Sequence, residues 1–132
     1  MRRLYKSLAV VFCLMFLVSC ASWEQLSKDE QARVVLDITQ EQLSTWREAG
    51  KQWVLALPET TDEEKELKLD KAKMWNSNVL PAMQVANDWI YSLMQELSKA
   101  EGSLDRYAVQ RLVNPYISRV VFLLVEMGYI PE

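Results

Sequence analysis

Apolar positions recur along most of this chain at alternating spacings of three and four, the period of one helical face. A first row runs Leu36, Thr39, Leu43, Trp46, Gly50, Trp53 and Leu57. A second runs Ala72, Trp75, Val79, Ala82, Ala86, Trp89, Leu93 and Ala100, widened by Met83, Ile90 and Leu97. A third runs Val109, Val113, Tyr116, Val120, Leu124 and Met127. No stretch alternates with period two, no hairpin dipeptide such as Asn-Gly occurs, and no segment repeats. The pattern predicts an all-α fold. Three long amphipathic helices with short turns between them make an elongated antiparallel three-helix bundle.

Local signals set the helix limits. Ser27-Lys28-Asp29-Glu30 has the spacing of a capping box and opens the first helix, which Pro58 ends after Leu57. Thr39 offers a second start, so a kink near Asp37 is allowed. Thr61 and Glu64 repeat the box spacing and open a second helix from about Asp62 to Ala100. Its acids face a positive helix end, and the segment lacks the alternating oxygen ligands and turn glycine of a calcium loop. Pro81 falls inside this helix. The apolar register carries across it, which favours one kinked helix, although Asn78 can also cap a fresh start. Gly102 suits a left-handed stop and Ser103 a cap for the third helix, Leu104 to Met127. Asn114-Pro115 allows a kink or break within it. The apolar run from Val120 to Val125 reads as the most buried part, and Gly128 ends the helix. The third helix is the shortest, so the ends of the first two are expected to lack cover and leave apolar surface.

The N-terminus departs from this pattern. Arg2, Arg3 and Lys6 precede an almost wholly apolar stretch from Ser7 to Val18. That arrangement is a secretory signal, too short to span a bilayer comfortably. It closes on Leu17-Val18-Ser19-Cys20, which resembles the lipobox of bacterial lipoproteins over residues 1–20 only. The resemblance implies cleavage between Ser19 and Cys20 and diacylglyceryl transfer to the Cys20 thiol, often with acylation of the new amine. Two or more acyl chains anchor a protein stably. The expected organisation is therefore a cleaved signal at 1–19, a lipidated tether at 20–26 and a helical domain at 27–132. Ala21, in place of a retention Asp, favours the outer membrane, facing the periplasm. Trp23 can lie at the headgroup level or pack on the helices.

Composition narrows the function classes. Cleavage leaves 113 of the 132 residues, with 12 basic and 18 acidic side chains, a net charge of −6. No basic cluster accompanies it, so no nucleic-acid partner is expected. Cys13 leaves with the signal and Cys20 carries the lipid, so neither disulfide nor free thiol remains. There is no His, which removes the usual general base and the commonest transition-metal ligand. Carboxylates cluster at Glu63/Glu64/Glu66, Asp29/Glu30 and Glu41/Glu48, all at helix starts or on polar faces rather than in an apolar pocket. Lysines follow acids at helical spacing, as in Glu64–Lys68. No enzyme activity, cofactor or metal site is expected.

Five Trp are many for so short a domain. Trp46, Trp53, Trp75 and Trp89 fall on the apolar rows, as core aromatics do. The functional alternative is an aromatic face. Gly50 lies in the row with Trp46 and Trp53 and lets a neighbouring helix come close, at about 1 kcal/mol of helix propensity. Trp46, Gly50, Trp53 and Trp75 are thus the candidate partner or ligand surface. Ile38-Thr39-Gln40-Glu41-Gln42 resembles the L-T-x-x-Q element of small helical periplasmic chaperones, with Ile in place of Leu, over five residues. The sequence points first to a lipid-anchored envelope protein that acts through contacts with a protein partner or with itself. A binding module for cell-wall glycan or a small apolar ligand is the alternative.

Overall fold

The computed structural model describes Trp23, residues 25–99 and residues 104–131. All regular structure among them is helical: α1 (Lys28–Leu55), α2 (Asp62–Met74), a π-helical turn (Trp75–Val79), α3 (Leu80–Lys99) and α4 (Arg106–Met127). The protein is all-α, as its periodicity predicts.

The caps follow the sequence at three of four helix ends. Ser27 Oγ accepts from the Glu30 amide at 3.2 Å while the Glu30 carboxylate accepts from the Ser27 amide at 3.2 Å, closing the box. At α2 the Thr61 hydroxyl accepts from the Glu64 amide at 3.1 Å. The Glu64 carboxylate takes the hydroxyls of Thr60 and Thr61. Gly128, at φ +108°, donates back to Leu124 and Val125, and the Tyr129 amide returns to Leu124 at 3.0 Å. That is the left-handed stop that glycine adopts freely. The fourth end differs. Asp105 caps α4 by accepting from the Ala108 amide at 2.8 Å, so the helix begins at Arg106 rather than Leu104. Gly102 and Ser103 lie outside the described residues.

The chain stays helical through each proposed interruption. α1 passes Asp37 without a break, and the Thr39 hydroxyl donates to the Val35 carbonyl at 2.7 Å instead of capping a new helix. α4 passes Pro115 without a break. Between Asp62 and Lys99 the helix is also unbroken, but it changes pitch just before Pro81. The Leu80 amide donates to the Trp75 carbonyl five residues back, a π bond. Proline supplies no amide and crowds the carbonyl four residues earlier. The wider turn takes in one extra residue there, and the buried positions Trp75, Val79 and Met83 accordingly stand two spacings of four apart.

α1, α3 and α4 contact one another pairwise, and the π turn contacts α4. Their inward rows meet in one core: Leu36 and Leu43 from α1, Val79 to Leu97 from the turn and α3, and Val109 to Met127 from α4. No polar or charged residue is buried among the described residues. Leu36, Val79, Ile90, Val109, Val120, Leu124 and Met127 are fully enclosed, each contributing roughly 1.5–3 kcal/mol by burial. The run from Val120 to Val125 is only partly interior: Phe122 and Val125 are 57% and 51% exposed because six consecutive helical residues cannot share one face. By length and composition α4 would suffice to span a membrane, yet its inward row is packed against α1 and α3.

α2 stands apart. None of its residues is buried, and Leu67 and Leu69 are 52% and 55% exposed. Its link to α1 runs through Lys68, whose ammonium donates to the Leu55 carbonyl at 2.9 Å and pairs with Glu59 at 3.5 Å. The partner expected for Lys68, Glu64, is instead engaged by the two threonine hydroxyls. Lys68 thereby places a cation at the negative end of α1.

Candidate functional site

The lipidation residue Cys20 and the cleavage position at Ser19 lie outside the described residues. Beside them, Trp23 rests on the helices: the Arg106 guanidinium sits 5.5 Å from its ring centre, and Gln31 donates to its carbonyl at 2.9 Å.

The four residues expected to form a partner or ligand surface separate into two kinds. Gly50 and Trp75 are buried against each other. A Cβ on Gly50 would stand 2.5 Å from Trp75 Cζ3 and 2.9 Å from Cη2. The close approach foreseen at Gly50 therefore exists, but the second helix fills it with an indole of its own. No cleft remains for a ligand there. Gly50 and Trp75 thus take the core placement that their positions on the apolar rows allow, not the surface alternative. The π turn is what delivers that indole, since Trp75 opens it. Trp53 is half-buried and lies 6.0 Å from the Tyr129 ring, tilted by 57°. Trp89 is half-buried too, 5.5 Å from Tyr116, and its Nε1 donates to the Leu112 carbonyl at 2.9 Å.

Trp46 is the exception among these indoles. Its ring is half-buried, and its Nε1 is shielded from solvent with no hydrogen-bond partner. A buried donor left unmade costs about 1–3 kcal/mol. Trp46 lines a groove of about 190 Å³ between α1 and α4, walled by Ile38, Val113 and Ile117 and rimmed by Gln42, Gln110 and Asn114. None of the residues that line it is charged. Periodicity did not flag Ile38, Gln110 or Asn114, which lie off the apolar rows. The one available signal was an isoleucine three and four residues past Val35 and Val34 but outside the apolar row, and Ile38 is 60% exposed.

A larger groove, of about 620 Å³, follows α1 past the π turn and Pro81. It is mixed, with Arg47, Asn76 and Gln84 beside Leu80, Pro81 and Met83, and Gln40 bridges it by donating to Asn87 at 3.3 Å. The carboxylate clusters do not converge on either groove: Glu63 and Glu66 are exposed at the start of α2, and Glu64 serves its cap. No group of three or more candidate metal ligands occurs among the described residues.

No protein-family model, curated protein or solved structure matches this chain.

Proposed function

We propose that this chain is a lipid-anchored, non-enzymatic protein of the cell envelope that works through protein–protein contacts, with a partner or with its own copies. In this reading the three helical arms form an elongated antiparallel bundle, kinked at its prolines. Acyl chains on Cys20 hold one end at the outer membrane, on the periplasmic side. The observation that carries the contact role is α2: it is a well-capped helix that buries none of its residues and keeps Leu67 and Leu69, with Leu55 of α1, more than half exposed. A helix held open in that way leaves apolar side chains on its surface for a partner protein to cover. The lipid anchor rests on the residue order Leu17-Val18-Ser19-Cys20.

Photo-crosslinking in the native membrane tests both halves. A crosslinker at position 67 should give a discrete adduct, one at the exposed Glu96 of α3 should not, and Cys20→Ala should abolish the adduct together with fatty-acid labelling. Equal patterns at positions 67 and 96 would refute the contact surface. Continued labelling of the Cys20→Ala protein would refute the anchor.

A further inference from the structure

We infer that the groove between α1 and α4 at Trp46 binds a small, neutral, mainly apolar molecule bearing one hydrogen-bond acceptor, which takes the indole N–H. Three observations converge. The Trp46 Nε1 is buried and unpartnered, whereas the Trp89 indole has a carbonyl at 2.9 Å. Buried polar groups in folded proteins are paired in the great majority, with protein, water or ligand, so the Trp46 N–H is a donor that a bound acceptor can satisfy. The groove carries no charge although a quarter of the chain's residues are charged. An ionic ligand entering it would lose hydration and gain no counter-ion. The volume, about 190 Å³, equals roughly six waters at ~30 Å³ each, room for a single ring or a short acyl segment.

The walls suit entry. Ile38, Val113 and Ile117 offer apolar contact, and the carboxamides of Gln42, Gln110 and Asn114 make no hydrogen bonds within the described residues that would hold them in place. Side-chain rotamer changes on binding are common, and free rim side chains let an acceptor reach the shielded nitrogen. This site deepens the small-ligand reading of Trp46 and is independent of the contact proposed for α2.

The test is ¹⁵N–¹H spectroscopy of the indole resonances in the full-length chain, assigned by Trp→Phe variants. The probes are cyclohexanone, cyclohexane and cyclohexanecarboxylate. Cyclohexanone should shift the Trp46 Nε1–H downfield, saturably, leaving the other indoles in place. Cyclohexane should enter without that downfield shift, and cyclohexanecarboxylate should bind at least about ten-fold more weakly, since a buried charge is left unpaired. Ile38→Asp, at an exposed position that leaves the core intact, should weaken cyclohexanone about ten-fold. The inference is overturned by a non-saturable shift, by equal shifts at all indoles, by equal binding of the carboxylate, or by an unaltered Ile38→Asp protein. A groove holding only a water on the indole leaves the Trp46 resonance in place on addition of cyclohexanone, which overturns it equally. None of these outcomes alters the crosslinking result at position 67.

Discussion

α2 and α3 are two parts of one uninterrupted helix, yet they live in different surroundings. α3 buries Met83, Ala86, Ile90, Leu93 and Leu97, while α2 buries nothing. The reason is already in their residues. The apolar side chains of α3 fall three and four apart and share a face. In α2, Leu67 and Leu69 are two apart, and residues at that spacing point to different sides of a helix. α2 is helical for other reasons: the Thr61 cap, three acids in its first turn, and Lys71 and Lys73 in its last. Forming a helix and burying one are thus separate problems, solved by separate residues. The π turn is the hinge between the two regimes, and Trp75, seated on Gly50, fixes it to α1.

That contrast predicts a gradient of mutational cost falling away from the hinge. Trp75→Ala should have the largest effect, about 3–5 kcal/mol, because it empties a buried aromatic site. Denaturant unfolding measures it, and a loss under ~1 kcal/mol would mean the hinge is not fixed by this ring. Gly50→Ala comes next, at about 1–3 kcal/mol, because the new methyl meets an aromatic ring that fills its space. The better helix propensity of Ala, worth about 1 kcal/mol, offsets part of this. If the ring is the obstacle, the same change should cost less in a Trp75→Phe background than in the unaltered chain, a coupling that a double-mutant cycle reads directly. At the far end, Leu67→Ser with Leu69→Ser should shift stability by only about 0.5 kcal/mol, as exposed positions do. The same pair should remove the adducts formed through α2. A destabilisation near 2 kcal/mol would show instead that these leucines belong to the core.

Much of the fold was legible from residue order. The inward rows of α1 and α4, the Ser27 box, the Thr61 cap and the Gly128 stop all follow from local rules that act over three or four residues. The unbroken passage through Pro81 was legible as register continuity, but its means was not. A π turn forms when packing rewards the extra residue, and here that reward is Trp75 reaching the notch at Gly50 on another helix. The Asp105 cap was missed because Ser103 has the same capping chemistry two residues earlier, and local propensity does not choose between them.

The candidate site was legible only in its parts. Trp46 stood out because five Trp are many for so short a domain, and Gly50 because a glycine inside an apolar row signals close approach. Which indole would fill that approach depended on how α1 meets the second helix. The groove at Trp46 depended on how it meets α4, which places Gln110, Asn114 and Ile117 beside Ile38 from across the sequence.

The sequence by itself determined that the chain is all-α and where most of its helices start and stop, because these depend on spacings within a few residues. The tertiary structure alone decided that Trp75 is the indole seated on Gly50 while Trp46 keeps an unpaired donor beside an uncharged groove. Burial and hydrogen-bond pairing are properties of what surrounds a side chain, and those surroundings come from helices distant in sequence.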